Sequence, residues 1–116
     1  QPHLVEIEAA VLAAALDLSA FKDGPQERFL NVENFANTAP LLKLSVRDTG
    51  PGIPPEVLPR IFQPYFTTKS GRQGTGLGLN IVQRLVREAQ AALHVRTDPG
   101  QGTCFTVYLP AVYLPD

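Results

Sequence analysis

Little in this 116-residue chain points to covalent cross-links, a structural metal or a membrane. It has one cysteine, Cys104, and two histidines, His3 and His94. A lone cysteine cannot close an internal disulfide, and this one has no second ligand at metal-binding spacing. Its apolar, strand-like surroundings predict a core position. The histidines stand far apart without carboxylate or cysteine clusters, which argues against a zinc site. No apolar run approaches the length of a membrane span, so a soluble domain without a transmembrane anchor is expected. No signal peptide is recognisable at Gln1. The formal net charge is −1, and no basic stripe stands out, which argues against electrostatic binding of nucleic acid. Internal repeats and low-complexity tracts are missing as well. These absences leave one domain with a modest core, 44% of its residues hydrophobic. The first residues already carry an apolar pattern, so the chain is expected to continue N-terminally in a longer parent.

The densest feature present is glycine. Gly74-Thr75-Gly76-Leu77-Gly78-Leu79 runs straight into Asn80-Ile81-Val82-Gln83-Arg84-Leu85-Val86-Arg87-Glu88. Leu79, Val82 and Val86, with Ile81 and Leu85, recur at steps of three or four, the spacing of an amphipathic helix. The glycines therefore mark a helix N-terminus. Unpaired backbone N–H groups and the positive end of the helix dipole attract an anion there, most often phosphate. A tight turn needing positive φ would explain the same glycines, so the rest of the chain has to decide.

Residues 4–21 are predicted as a helix. Ile7, Val11, Ala14, Leu18 and Phe21 form one apolar stripe, widened by Leu12, Ala15 and Leu16, and the alanine content supports it. Asp17 interrupts this stripe, with Ala13 one turn before it on the same face. Lys22-Asp23-Gly24-Pro25 ends the helix. Residues 28–33 read as a short strand. Residues 41–47 read as a clear one, Leu42, Leu44 and Val46 alternating with Lys43, Ser45 and Arg47. The two are expected to pair as a hairpin. Asp48-Thr49-Gly50-Pro51-Gly52-Ile53-Pro54-Pro55 is a loop, and Pro55 opens a short helix running towards Phe62. Residues 93–96 and 103–109 are strands, joined by the turn Thr97-Asp98-Pro99-Gly100-Gln101-Gly102. The order suits an α+β fold, a two-layer α/β sandwich with helices on one face of a mixed, mainly antiparallel sheet.

Asp48 ends a buried-type strand. A carboxylate fixed there can accept a hydrogen bond from an amine on a ring such as adenine, and Gly50 and Gly52 let the ring approach the backbone. The simpler alternative is a turn whose carboxylate bonds its own loop. Asp48-Thr49-Gly50-Pro51-Gly52-Ile53 is followed by Phe62-Gln63-Pro64-Tyr65-Phe66-Thr67-Thr68-Lys69, then by the glycine run and its helix. Gly102-Thr103-Cys104-Phe105-Thr106-Val107-Tyr108-Leu109-Pro110 closes the series. In this order and spacing the chain resembles the catalytic ATP-binding domain of bacterial sensor histidine kinases, members of the Bergerat-fold (GHKL) ATPases. The resemblance runs from about the first helix to Pro110.

It implies a protein histidine kinase domain that binds ATP and Mg²⁺. The γ-phosphoryl group would pass to a histidine on an N-terminal dimerisation and phosphoacceptor domain, then to the receiver domain of a response regulator in a two-component phosphorelay. Neither His3 nor His94 sits in a helical H box, so that histidine is expected elsewhere in the parent, and His94 is expected at the surface of a strand. The domain would be cytoplasmic even in a membrane-anchored parent, touching neither nucleic acid nor membrane. Residue by residue, the resemblance implies that Asp48 accepts the adenine amine. Gly50 and Gly52 would shape its pocket, with Ile53 beside the ring. Phe62 and Phe66 would anchor a lid over the nucleotide, residues 67–73, which includes Thr68. Lys69 or Arg72 would reach the phosphates or remain solvated. Gly74, Gly76 and Gly78, with Leu77 and Leu79 interleaved, would offer backbone N–H groups to the phosphates. Thr75 would add a hydroxyl or serve the turn alone.

The chain departs from this pattern in two places. The family's first helix carries an N box, two asparagines one turn apart, the second of which ligates Mg²⁺. On the predicted helix Ala13 and Asp17 take those positions. Asp17 still offers a hard oxygen and is the predicted metal ligand, but it also brings negative charge towards a triphosphate. Hence the alternative reading, a degenerate pseudokinase module that binds nucleotide or protein with impaired turnover. Asp17 pointing to solvent is the other reading of that position. Gln90-Ala91-Ala92 replaces a frequent Gly-Gly turn, predicting a slightly altered helix ending without functional effect. A serine-directed anti-sigma-factor kinase is a weaker relation, and the aromatic-Pro-aromatic box speaks against it.

Overall fold

A computed structural model describes residues 4–62 and 77–111, the side chains of 77–80 excepted. Its elements are β1 (Val5–Leu12), β2 (Glu27–Leu30), β3 (Leu41–Asp48), α1 (Leu77–Glu88), β4 (Ala92–Asp98) and β5 (Gly102–Pro110). Short 3-10 turns form at Leu18–Ala20, Val32–Asn34 and Leu58–Arg60. The strands make one five-stranded sheet in the order β1-β3-β5-β4-β2, and each pairing is antiparallel. The sheet with a helix on one face is the expected two-layer sandwich, antiparallel throughout the described residues.

The predicted helix over residues 4–21 is not there. Val5–Leu12 is a strand paired with β3 along its whole length, from Val5 opposite Asp48 to Leu12 opposite Leu41. Val5, Ile7 and Val11 alternate with Glu6 and Glu8 at a period of two, the signature of a strand. Pairing with β3 overrides the helical propensity of the alanines. The expected hairpin of the next two strands also fails. β3 lies between β1 and β5, whereas β2 crosses the molecule to pair with β4 at the far edge.

Register divides the sheet into two faces. Leu44 and Val46 of β3 stand opposite Val107 and Phe105 of β5, which in turn oppose Leu93 and Val95 of β4. These residues face the helix layer. Leu30, Leu93 and Val95 of the sheet pack there against Val86 and Ala91 and against Leu58 and Ile61 of the turn after the Asp48 loop. Each fully buried leucine contributes about 1.5–3 kcal/mol relative to exposure. Towards β1 the same face stays open, with Ile7 72% and Val11 68% exposed.

The opposite face is polar along its middle and ends in a second apolar cluster, where Leu41 and Ala92 are buried with Phe35. Cross-strand ladders bring Glu6, Arg47, Cys104, Arg96 and Glu27 into one row, and Glu8, Ser45, Thr106, His94 and Phe29 into the next. Cys104 is thus on this outer face and half-buried, not in the core, because its neighbours Thr103 and Phe105 take the inward positions. His94 also points outward. It is held there by a 2.7 Å hydrogen bond between its Nε2 and Glu27 Oε1, and it stacks on Phe29 with ring centroids 4.3 Å apart.

Helix α1 ends as a Schellman motif: Ala91 N–H donates to Val86 O (2.9 Å) and Gln90 N–H to Arg87 O (3.1 Å). Gln90 takes the left-handed position at φ 55° that glycine usually fills. The ending is therefore the ordinary one, made with a different residue.

Candidate functional site

The sheet delivers Asp48 to the C-terminal end of β3, on the inward face and opposite Thr103 of β5. The chain then turns sharply. Gly50 N–H donates to Asp48 Oδ1 at 2.8 Å, closing an Asx turn that fixes the carboxylate. Its Oδ2 has no hydrogen-bond partner among the described residues, so the turn uses one carboxylate oxygen and leaves the other as an acceptor.

The loop that follows is fastened to the β4–β5 turn. Ile53 N–H donates to Thr97 Oγ1 at 2.7 Å, and Gly100 N–H donates to Pro51 O at 2.8 Å. Two glycines make this fit. A Cβ on Gly52 (φ +86°) would lie 2.9 Å from both Asp98 O and Thr97 Oγ1. One on Gly102 (φ +128°) would collide with the Asp48 carbonyl oxygen. Both positions combine positive φ with a backbone approach that no side chain permits. On the other side, Thr49 ties the start of β1 to the loop, since Leu4 N–H donates to its Oγ1 at 2.8 Å.

Of the residues expected at a nucleotide, the structure brings together Asp48, Gly50, Gly52 and Ile53. Phe62 joins them through the core: it packs on the cluster around Leu58 and Ile61, and its carbonyl accepts a 2.5 Å bond from Gln83 Nε2 of α1. Helix α1 begins at Leu77, so Leu77, Gly78 and Leu79 form its first turn. Phe66, Thr68, Lys69, Arg72, Gly74, Thr75 and Gly76 lie outside the described residues.

Asp17 does not join this group. It caps the short turn Leu18–Ala20, its Oδ1 accepting from Ser19 N–H (3.0 Å) and Ser19 Oγ–H (2.7 Å). These bonds, the hydroxyl's first, hold its carboxyl below the ordinary carboxylate value. Its neighbours Leu16 and Leu18 pack on Phe35, Leu41 and Ala92. Leu41 is the opposite end of the eight-residue β3 from Asp48, about 23 Å along the strand. The predicted metal ligand therefore loses both its helix and its place beside the Asp48 loop. Ala13 and Asp17 are not a helical pair, and the argument for a degenerate module that rested on them falls. Among the described residues there is no group of three His, Cys, Asp or Glu side chains that could hold a metal ion. No described helix is long and apolar enough to cross a membrane.

Two residues of the site escaped sequence reasoning. Thr97 is 2% and Thr103 9% exposed, and their hydroxyls lie 3.1 Å apart. The signal was available: after Leu93 and Val95, the next inward position of β4 carries a hydroxyl where an apolar side chain would suffice.

A family model described as histidine kinase-, DNA gyrase B- and HSP90-like ATPase matches residues 2–113. The two-component sensor PprA of Pseudomonas aeruginosa is 39% identical over 109 residues, 93% of this chain and 12% of that protein. The adaptive-response sensory kinase SasA of Gloeothece citriformis is 36% identical over 107 residues, 90% of this chain and 27% of that protein. The sensor kinase CckA of Brucella abortus is 45% identical over 65 residues, 56% of this chain and 7% of that protein. The chain thus spans well under a third of each of these relatives. A solved structure, the nucleotide-free catalytic domain of histidine kinase ThkA, shares 37% identity over 60% of this chain and 45% of that one, with a TM-score of 0.49.

Proposed function

The chain belongs to the histidine kinase-, DNA gyrase B- and HSP90-like ATPases, and we propose that it is the catalytic ATP-binding domain of a two-component sensor histidine kinase. One observation carries the reading at the level of atoms. Asp48 is fixed by Gly50 N–H through Oδ1, which leaves Oδ2 to accept the exocyclic amine of adenine. Guanine has a carbonyl at that ring position, and two acceptors repel, so the same carboxylate selects adenine over guanine. Gly52 and Ile53, docked on the β4–β5 turn, form the wall beside the ring.

The glycine run leading into α1 supplies the other half of the reading. Gly74, Gly76 and Gly78 would offer N–H groups, and the helix its positive end, to the phosphates. Residues 67–73 would act as the lid, with Lys69 or Arg72 reaching the phosphate oxygens. In the parent protein the γ-phosphoryl group would pass to a histidine of a separate phosphoacceptor domain in the cytoplasm, and from there to a response regulator. Positioning and charge stabilisation dominate such transfers. The relatives' names, sensor kinase and two-component sensor, support this role.

Calorimetric titration of the chain with ATP and GTP tests the base-binding claim. ATP should bind and GTP should bind at least about tenfold more weakly. Asp48→Asn should cost ATP about 1.5–3 kcal/mol, the range for a hydrogen bond to a charged group. Equal ATP affinity in the natural chain and in Asp48→Asn would overturn the reading. Phosphotransfer is tested in the parent by incorporation of label from γ-labelled ATP into an acid-labile phosphohistidine.

A further inference from the structure

Thr97 occupies a position that packing alone does not explain. It is an inward residue of β4, 2% exposed, in a row whose other members are Leu93 and Val95. Valine would fill the same volume. The hydroxyl instead sits at the junction of three segments. It accepts from Ile53 N–H at 2.7 Å, and its single hydrogen can go to Gly102 O at 3.3 Å or Thr103 Oγ1 at 3.1 Å. Both of those acceptors begin β5, where Thr103 stands directly opposite Asp48. Glycine at 52 permits this approach, since a Cβ there would lie only 2.9 Å from the Thr97 oxygen.

We propose that Thr97 is a positioning residue for base recognition. Its hydroxyl sets the Gly52 and Ile53 backbone relative to the Asp48 carboxylate, and thereby the width of the slot that receives the adenine ring. The proposal rests on the reading of Asp48 as the adenine acceptor. Without the hydroxyl, Ile53 N–H is left unpaired in a half-buried place, at the cost of its desolvation. The loop can recover that bond only by moving towards water, away from β4. The carboxylate itself stays put, since its own anchor is Gly50 N–H. A loosened wall should weaken every ligand that carries the base, whatever its phosphate count.

The test is titration of the 116-residue chain with ATP, ADP and adenosine, together with amide hydrogen exchange read by NMR. Thr97→Val should weaken all three ligands by a common factor of about tenfold, the equivalent of one lost hydrogen bond. Thr97→Ser, which keeps the hydroxyl, should stay within about threefold of the natural chain. The Ile53 amide should be protected in the natural chain without ligand and in Thr97→Ser, and should lose that protection in Thr97→Val. Ala91, whose amide is bonded to Val86 O at the end of α1, should keep its own; a general loosening of the fold would expose both.

If Thr97→Val binds all three ligands as the natural chain does while Asp48→Asn weakens them, Thr97 has no positioning role and the Asp48 reading stands. If neither substitution changes affinity, the Asp48 reading fails and takes this proposal with it. Should Thr97→Val not fold, the natural chain decides the matter: an Ile53 amide exchanging at the rate of an open chain overturns the proposal. A protected Ile53 amide in both the natural chain and Thr97→Ser, with affinity retained in Thr97→Ser, supports it.

Discussion

Leu41 and Asp48 lie at opposite ends of one strand and are held in different ways. Leu41 is 0% exposed, packed with Phe35 and Ala92 and flanked by Leu12, Leu16 and Leu18. Shape and apolar area dominate that end, with one reciprocal pair of hydrogen bonds between Asn37 and the Leu16 backbone (2.9 and 2.8 Å) tying down its flank. Asp48 is held by individual atoms: Gly50 N–H on its carboxylate, Ile53 N–H on Thr97, Gly100 N–H on Pro51, and glycines at 52 and 102 where a Cβ would collide. Apolar packing is broad and tolerates adjustment, whereas a chain of hydrogen bonds in a confined space fails when one member is lost. Stability should therefore be most sensitive to the Leu41 end and ligand geometry to the Asp48 end.

The largest expected effect on stability is Leu41→Ala. Deleting a fully buried leucine side chain should cost about 3 kcal/mol, within the usual 2–5 kcal/mol range, measured by urea unfolding. ATP affinity, corrected for the folded fraction, should stay within about twofold, because the cavity opens about 23 Å from Asp48 along β3. A large loss of affinity in the folded fraction would break the division between the two ends.

Gly102→Ala should be milder for stability and far worse for binding. The new Cβ meets the Asp48 carbonyl oxygen, and φ +128° disfavours any side chain. Backbone strain and overpacking together suggest a loss of about 2 kcal/mol. β5 can relieve the clash only by pushing away the end of β3 that carries the carboxylate. ATP affinity should fall by at least about tenfold, checked by calorimetry at a temperature where the variant is folded. Unchanged affinity would mean that the Asp48 end is not as tightly coupled as its hydrogen bonds suggest.

The same contrast explains what could be read from the sequence. β3, the Asp48 loop, α1 and the β4–β5 hairpin were legible because their signals are local. Leu42, Leu44 and Val46 alternate; Asp98-Pro99-Gly100-Gln101 closes a turn, with Gln101 N–H on Asp98 O at 2.9 Å. Val82 and Val86 fall on one helix face. Residues 5–12 were ambiguous, since Ile7, Val11, Ala14 and Leu18 fit a helix while Val5, Ile7, Ala9 and Val11 fit a strand. What settles the choice is β3, more than thirty residues further along. The pairing of β2 with β4 is equally non-local: the prior that consecutive strands are neighbours favoured β3. For the proposed site, the glycines and Asp48 can be picked out by spacing, whereas Thr97 and Thr103 become visible only when register puts them behind the loop. Only a helix over residues 4–21 would bring Asp17 to the site, and Val5–Leu12 is a strand instead.

Asp17 therefore offers the smallest but most discriminating test. Its carboxylate is exposed and capped by the Ser19 hydroxyl and amide, at the apolar end of β3. Asp17→Asn should leave ATP affinity unchanged within about twofold, both with and without Mg²⁺, because a nucleotide held at Asp48 as proposed would not approach that end. The Ser19 bonds hold the Asp17 carboxyl below its ordinary value. A lowered folded-state pKa means that the turn is favoured above the ordinary carboxylate range. That contribution is lost as pH falls through the folded-state value. Ser19→Ala removes the larger of the two bonds and should move the Asp17 titration upwards, towards an unperturbed carboxylate, as followed by side-chain NMR. If Asp17 instead titrated with Mg²⁺ and ATP, shifting when both were added, the residue would belong to the nucleotide end after all. The separation of the two ends of β3 would then be wrong.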